Sequence, residues 1–288
     1  MKGTMKALRM YAPYDFRIDE VAIPEIGDDD ILIRVKGCGV CSGDVKTYHG
    51  GQRVWGISPE TAYIEAPCIG GHEFHGVVAE KGKNVTKVEI GDRILAEQIL
   101  PCGECKFCRQ GNYWMCQPHR IFGFKHEAEG GFAEYMKLPK NSVIHKLPDE
   151  LTDDQATLVE PYACGMHAVE RGNIGYEDIV VISGLGTIGL AMICAAQTHS
   201  PKMVIGLDLR QERLDKAKEF GADLVINPAK ENVQEIINSL TDGYGCDVYI
   251  EASGSPASVP QGLNLVRNMG RYVQFGVFAK DVTADWNV

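Results

Sequence analysis

The sequence has no apolar run long enough to span a bilayer, and residues 1–10 lack the hydrophobic stretch of a signal peptide. Basic residues are also scarce: 29 Lys and Arg stand against 39 Asp and Glu, and the formal net charge is -10. Nucleic acids and anionic membranes bind clustered basic side chains, so neither is an expected partner. The expected location is the cytoplasm.

The composition of the 288 residues is that of an ordinary globular protein, with 44% hydrophobic and 24% charged residues. This length exceeds the usual size of a single domain, so we expect two. The chain contains ten cysteines. In a cytoplasmic protein, closely spaced cysteines predict metal ligands before disulfides.

Two sequence patterns divide the chain into an expected domain of residues 1–162 and another of residues 163–288. The first has short strand-like runs separated by glycines and turns, which predicts a β-barrel-like domain. In the second, strands alternate with helical segments, which predicts a parallel sheet with helices on both faces. Its last predicted strand runs from Gly270 to Val277. The fold class is therefore α/β, with a β-barrel domain followed by a doubly wound domain.

The strongest local motif is a loop of four cysteines: Cys102, Cys105, Cys108 and Cys116. Zinc in structural sites takes four soft ligands at tetrahedral corners, and two-residue gaps allow successive thiolates to reach one ion. An iron–sulfur cluster fits the spacing too, but the surrounding domain argues against it. The loop predicts a structural zinc site.

A glycine-rich turn follows the first predicted strand of the second domain. The segment from Val180 to Gly189 has the G-x-G-x-x-G spacing between a strand and a helix. Such glycines allow a tight turn, close approach of a pyrophosphate and packing of the helix on the sheet. The cofactor-binding candidates of this turn are Gly184, Gly186, Thr187, Ile188 and Gly189.

Asp208 ends the next predicted strand, 19 residues after Gly189. A carboxylate there binds the ribose hydroxyls of NAD and repels the 2′-phosphate of NADP. The alternative is that Asp208 caps the helix that follows it. Arg210 is close enough in sequence to attract a 2′-phosphate and is the competing residue. The expected cofactor is NAD.

A catalytic metal site is indicated by residues from separate loops. Cys41, His72 and Glu73 lie in the first predicted domain, and Glu160 precedes Pro161 at its end. Each is weak evidence alone, because single cysteines and histidines are more often core residues. A zinc site with three protein ligands and an open position uses a mixed set of this kind.

These motifs together resemble the zinc-dependent alcohol dehydrogenases of the medium-chain dehydrogenase/reductase superfamily. Gly71-His72-Glu73, the four-cysteine loop and the glycine turn occur in the expected order, and Glu160-Pro161 resembles the sorbitol-type polyol branch. Three further stretches are most similar to the erythritol/L-threitol dehydrogenase group: Met115 to His119, Gly123 to Lys125 and Asp281 to Trp286. The resemblance implies a GroES-like catalytic domain, a Rossmann domain, and one catalytic and one structural zinc.

By this resemblance, Cys41 and His72 bind the catalytic zinc, and Glu73 or Glu160 completes the site directly or through water. The implied reaction is reversible oxidation of a secondary hydroxyl of a small polyol to a ketose, with NAD. A threonine- or butanediol-type dehydrogenase on the same scaffold is one alternative. The other is a catalytically silent module that retains zinc and nucleotide binding.

Two features depart from the family pattern. The family usually has Ser or Thr two residues after the catalytic cysteine, to pass on the proton of the alcohol, whereas this chain has Gly43 there and Ser42 one residue earlier. Relatives also continue beyond the position of Val288 with a last Rossmann strand, so we expect the second domain to be incomplete. With that part present, the resemblance implies a homo-oligomer, a dimer or a tetramer.

Overall fold

The computed structural model describes residues 2–286. It divides into two compact units, residues 1–160 and 161–288, which places the division two residues before the predicted boundary. The strands of the first unit are β1 (Thr4–Ala12), β2 (Asp15–Ala22), β3 (Ile31–Gly39), β4 (Cys68–Ile69), β5 (Glu73–Lys81), β6 (Arg93–Ala96), β7 (Ile99–Leu100), β8 (Arg120–Ile121), β9 (Tyr135–Leu138) and β10 (Ile144–Lys146).

The helices of the first unit are short and lie between strands. They are α1 (Ser42–Tyr48), α2 (Gln52–Trp55), α3 (Lys106–Arg109) and α4 (Asp153–Thr157), with 3-10 turns at Pro59–Thr61 and Tyr113–Met115. A longer helix, α5 (Val159–Gly172), begins at the end of this unit. Thr152 caps α4, because its side chain accepts a hydrogen bond from the backbone N–H of Gln155.

The first unit is built from antiparallel sheets. Strands β10-β6-β5-β3-β9 form the largest, β2-β1-β4 form a second, and β7-β8 pair separately. Alternate residues of β3 enter different apolar clusters: Ile31 and Ile33 pack with Phe74 and Met136, whereas Leu32 packs with Ile69. Both faces of β3 are therefore covered, as in a closed barrel, and the predicted β-rich fold is confirmed.

The second unit is a parallel α/β domain, as the sequence predicts. Its strands lie in the order β13-β12-β11-β14-β15, and all four pairings are parallel. The strands are β11 (Ile179–Ser183), β12 (Met203–Leu207), β13 (Leu224–Ile226), β14 (Cys246–Glu251) and β15 (Val266–Gln274). The helices that follow α5 are α6 (Thr187–Gln197), α7 (Gln211–Glu219), α8 (Val233–Leu240) and α9 (Ser258–Leu265).

Helices cover both faces of this sheet. Val180 and Ile182 of β11 face the apolar cluster that contains α5, α6 and α7, whereas Ile179 and Val181 face the cluster that contains α8 and α9. Each of these four side chains is almost fully buried. A strand buried on both faces is a continuous apolar run, which is why β11 is evident in the sequence.

The last strand of the second unit differs from the prediction. Strand β15 begins at Val266, four residues before the predicted start at Gly270. Its pairing with β14 shifts register between Cys246 and Val248, so it lacks the regular alternation that marks a strand in sequence.

Across residues 2–286, no helix combines the length and apolar character that crossing a bilayer requires.

Candidate functional site

The four-cysteine loop brings its sulfur atoms together. Cys102, Cys105, Cys108 and Cys116 are free thiols whose Sγ atoms all lie within 4.8 Å of one another. The Sγ atoms of Cys102 and Cys108 are 3.9 Å apart. Four sulfurs placed tetrahedrally about 2.3 Å from a zinc ion are separated by about 3.8 Å. The donor atoms and their spacing therefore fit one zinc ion.

Backbone amides stabilise these sulfurs as anions. The N–H of Cys105 donates to Sγ of Cys102 at 3.3 Å, and the N–H of Cys108 donates to Sγ of Cys105 at 3.5 Å. The amide of Cys108 lowers the pKa of Cys105 to about 6, whereas desolvation raises the pKa of Cys108 to about 12. A bound cation would lower the pKa of every cysteine in the loop, because metal-bound thiols lose their protons, and Cys105 and Cys108 would then both be thiolates.

We expect Cys105→Ser to open this site, because a serine hydroxyl does not replace a thiolate ligand of zinc. The variant should contain about one zinc fewer per chain and melt at a lower temperature, as measured by metal analysis and calorimetry. Cys194→Ser in α6, outside both ligand clusters, is the matched control and should keep its zinc. Full zinc content in Cys105→Ser would refute the assignment.

A second ligand cluster forms where β3 ends and β5 begins. Gly39 of β3 pairs with Glu73 of β5, and the chain then turns into Cys41, which caps α1. The ligand atoms of Cys41, His72 and Glu73 all lie within 4.8 Å of one another. The imidazole of His72 and the carboxylate of Glu73 are almost completely buried. The structure thus brings together three of the four residues that the sequence suggests for a catalytic metal.

Gly39 leaves the space that the carboxylate of Glu73 occupies. A Cβ atom on residue 39 would lie 2.1 Å from Oε2 of Glu73, far inside any non-bonded contact distance. The carboxylate can stay beside Cys41 only while residue 39 has no side chain.

Asp44 is a buried residue of this site that the sequence analysis did not single out. Its Oδ2 accepts a hydrogen bond of 2.9 Å from the backbone N–H of Cys41, and its Oδ1 lies 3.7 Å from Nδ1 of His72. Neither Oδ1 nor Nδ1 has a hydrogen-bond partner among the described residues. Asp44 thus fixes the loop of one ligand and faces the ring of another. An acidic residue in the first helical turn after Cys41 was the available signal.

Burial works against negative charge at this cluster. Desolvation raises the pKa of Cys41 to about 11, and it also raises the pKa values of Asp44 and Glu73. A divalent cation reverses this effect, because it stabilises the anionic form of every ligand. Three ligands of mixed S, N and O type are typical of a catalytic zinc with one open position. The residues therefore fit such an ion.

Glu160 and Ser42 lie outside the three-ligand cluster. Glu160 is in the first turn of α5, where its Oε1 accepts a hydrogen bond of 2.5 Å from Nε2 of Gln98. Ser42 is the first residue of α1 and is exposed. A Cβ atom on Gly43 would meet only Sγ of Cys41, at 3.6 Å, so a side chain at that position would fit.

We expect Gly39→Ala to displace the carboxylate of Glu73 and to weaken the second metal site, because the added methyl group would overlap Oε2. After dialysis against a mild chelator, metal analysis should show about one zinc fewer per chain, with the four-cysteine zinc retained. His72→Ala should lose the same zinc. Gly43→Ala is the control with room for a Cβ atom and should keep both ions. Two zinc ions retained in Gly39→Ala would contradict the assignment of Glu73.

The glycine-rich turn joins β11 to α6. Gly184 has a φ of 99°, and a Cβ atom there would lie 2.5 Å from the backbone N of Ser253. A Cβ atom on Gly189 would lie 1.9 Å from the carbonyl oxygen of Gly184. Gly186, at the start of α6, faces open space. Two glycines therefore allow the turn and the packing of the helix, and the third leaves the helix N-terminus accessible to a pyrophosphate.

Thr187 and Ile188 form the first turn of α6, with Thr187 exposed and Ile188 half-buried. Their backbone N–H groups belong to the amides at a helix start that lack partners within the helix. This position agrees with the binding of a negatively charged phosphate group at the same turn.

Asp208 follows β12 and lies against the glycine turn. Its Oδ2 accepts a hydrogen bond from the N–H of Leu185, and its Oδ1 accepts one from the N–H of Arg210, both at 2.9 Å. Arg210, not Asp208, is the residue that caps α7. The guanidinium of Arg210 pairs with Glu212, its Nε lying 2.7 Å from Oε1. Arg213, which the sequence analysis missed, lies 3.4 Å from Oδ2 of Asp208.

Two family models match the two parts of the chain. The model described as an alcohol dehydrogenase GroES-like domain matches residues 27–149, and the model described as a zinc-binding dehydrogenase matches residues 187–288. The fold, the cysteine loop and the glycine turn together define a zinc-dependent dehydrogenase with a nucleotide-binding domain.

Characterised relatives match nearly the whole chain. The erythritol/L-threitol dehydrogenase of Mycolicibacterium smegmatis is 46% identical over 99% of this chain and 79% of its own length. The sorbitol dehydrogenase of Halalkalibacterium halodurans is 38% identical over 96% of this chain and 78% of its own. A solved structure described as a zinc-binding dehydrogenase from Sinorhizobium meliloti bound to NADP superposes with a TM-score of 0.88, at 30% identity over 98% and 80% of the two chains.

The chain belongs to the zinc-dependent alcohol dehydrogenase family and is an oxidoreductase. The resemblance to the polyol branch of that family is confirmed.

Proposed function

We propose that this enzyme uses NAD to oxidise a secondary hydroxyl of a small polyol, such as a tetritol, to a ketose, and catalyses the reverse reduction. The observation that carries the proposal is the buried cluster of Cys41, His72 and Glu73. Three protein ligands leave one position of a tetrahedral zinc ion for the substrate. The relatives named for erythritol, L-threitol and sorbitol support a polyol as the substrate.

Cys41, His72 and Glu73 would hold the catalytic zinc. When bound, the ion supplies Lewis acidity that eases loss of the alcohol proton. Asp44 faces the ring of His72 with one carboxylate oxygen and accepts a hydrogen bond from the amide of Cys41 with the other. Glu160, whose Oε1 accepts a hydrogen bond from Gln98, would accept a further hydrogen bond from water or from a neighbouring hydroxyl of a diol.

The glycine turn and Asp208 would hold the dinucleotide, and the nicotinamide ring supplies the hydride chemistry. Asp208 is almost buried at the turn, and its charge disfavours a 2′-phosphate there. Arg210 is engaged by Glu212, which reduces its attraction for a phosphate. These contacts favour NAD over NADP.

The two parts of the chain divide this work in our proposal. Residues 1–162 form the GroES-like domain with both zinc sites, and residues 163–288 form the NAD-binding domain; the division between compact units after Glu160 supports this. All ten cysteines are free, which suits the reducing cytoplasm. With the part of the family fold that follows the position of Val288, the assembly is a homo-oligomer, a dimer or a tetramer, as the resemblance implies.

The proton of the alcohol leaves through water that Glu160 holds, in the direction of Lys46. Gly43 has no side chain to carry a proton, and Ser42 is an exposed residue at the start of α1. Rotating the loop to bring Ser42 inward would also move Cys41, whose sulfur must keep the short ligand distance that zinc requires. We therefore favour the water route.

We expect a panel of substrates to show the highest kcat/KM for a small polyol with NAD. The panel contains erythritol, L-threitol, sorbitol, L-threonine and 2,3-butanediol, and the absorbance of the reduced cofactor reports turnover. NAD should exceed NADP by about tenfold or more in kcat/KM, the effect of about 1.4 kcal/mol of charge repulsion at Asp208.

Three results would count against this proposal. A preference for L-threonine or butanediol would identify a different dehydrogenase on the same scaffold. Equal or better use of NADP would mean that Arg210 outweighs Asp208. No turnover of any substrate, with both zinc ions bound, would indicate a silent module.

We expect Ser42→Ala to lower turnover by less than about tenfold, because the proposed route bypasses its hydroxyl. Glu160→Gln should lower turnover by about a hundredfold, the typical contribution of a positioned proton-transfer group. Steady-state kinetics with parallel zinc analysis gives both values. A hundredfold loss in Ser42→Ala at unchanged zinc content would show that Ser42 carries the proton.

A further inference from the structure

Glu251 lies at the point where the strand order of the second unit's sheet reverses, between β11 and β14. It is the last residue of β14 and pairs with Ser183, the last residue of β11. The helices after these two strands, α6 and α9, pack on opposite faces of the sheet. In such sheets a crevice opens at the carboxyl ends of the two strands, and ligands bind there. Glu251 thus forms part of the floor of the dinucleotide crevice.

The carboxylate of Glu251 is completely buried and satisfied by uncharged donors. Its Oε1 accepts hydrogen bonds from the N–H and the hydroxyl of Ser253, the N–H of Gly254 and the hydroxyl of Ser258, at 2.5 to 3.0 Å. Its Oε2 accepts one from Nε2 of Gln274 at 2.8 Å. No Lys, Arg or His in residues 2–286 forms an ion pair with it. Burying a carboxylate is costly, and these five donors offset the cost.

The five donors come from three separate segments of chain. They belong to the loop after β14, the start of α9 and the end of β15. The N–H groups of Phe275 and Gly276 also donate to the backbone oxygen of Glu251, at 2.9 and 2.8 Å. One residue therefore joins the two loops that follow β14 and β15.

These loops are packed closely against the glycine turn. The Cβ atom missing from Gly184 would lie 2.5 Å from the backbone of Ser253, and the one missing from Gly276 would lie 2.2 Å from Oε2 of Glu251. A shift of either loop would therefore change the space beside the first glycine of the turn.

We propose that Glu251 is a positioning residue for the nicotinamide half of the dinucleotide site. The proposal rests on the proposed use of NAD. Asp208, at the end of β12, marks the adenosine half on one side of β11, so the loops after β14 and β15 border the other half. Glu251 holds these loops in place through uncharged donors and does not itself touch substrate.

Binding of two nucleotides separates this role from general destabilisation. AMP fills only the adenosine half, whereas NADH fills both halves. In Glu251→Gln, the amide oxygen can keep the four donors of Oε1, but the amide nitrogen then faces Nε2 of Gln274, so the link to the end of β15 is lost. The Kd for NADH, from fluorescence titration, should rise about tenfold, the worth of one hydrogen bond to a charged group. The Kd for AMP, from calorimetry, should change by less than about twofold.

Asp247→Asn is the matched control, because Asp247 is a carboxylate at the amino end of the same strand, whereas the crevice lies at the carboxyl end. It accepts a hydrogen bond of 2.7 Å from the N–H of Ile179 and pairs with Arg267 at 2.6 Å. This variant should melt at a lower temperature and bind NADH and AMP as the unmodified enzyme does.

Gln274→Ala tests the same idea without altering the buried acid. Gln274 is exposed at the end of β15 and donates to both Glu251 and the carbonyl oxygen of Gly276. Its loss should raise the Kd for NADH several-fold, which is about half of the free-energy change expected for Glu251→Gln. The Kd for AMP should be unchanged. If Glu251→Gln does not fold, this variant alone decides the question.

Two outcomes would overturn the positioning role. One is equal weakening of NADH and AMP, which indicates a merely structural acid, and the other is unchanged binding of both. If the unmodified enzyme binds neither NADH nor NADPH, the proposed cofactor is wrong, and the proposed role of Glu251 is then wrong as well.

Discussion

The pairing of Gly39 with Glu73 is the constraint on which the catalytic centre depends. It aligns the end of β3 with the start of β5, so that Cys41, His72 and Glu73 meet. The register shifts between Val35 and Gly37, which sets the residues that face each other at the strand ends. A slip of one residue would turn Glu73 to the opposite face of the sheet. The ligand set is therefore a property of strand register as much as of residue type.

The motifs whose geometry could be predicted from sequence are those whose parts are close together in the chain. The four cysteines lie within fifteen residues, and the glycine turn occupies six, so their geometry follows from local backbone alone. The role of Gly39 depends on a partner 34 residues away, and a glycine carries no chemical signal of its own. Only the pairing of two distant strands shows why that position lacks a side chain.

The same distinction explains the elements of the second unit. Helix α8 has apolar residues at Val233, Ile236, Ile237 and Leu240, the spacing of one helical face, and was predictable from that pattern. The start of β15 was not predictable. Met269 has a φ of 61° and is almost fully exposed, so the residues near it do not alternate between buried and exposed. This part of β15 is an irregularity between Val266 and Arg271, the residues that pair with β14, and its own sequence does not mark it as a strand.

The buried carboxylates of the two units are stabilised by different means. Glu251 has five uncharged donors, so its charge is satisfied within the protein. Asp44 leaves Oδ1 without a hydrogen-bond partner, and burial raises the pKa values of both Asp44 and Glu73. A buried acid that lacks donors stays ionised only beside a cation, whereas one with a full set of donors does not need one. The number of donors thus separates an acid that would serve a metal site from one that organises the backbone, although both are buried.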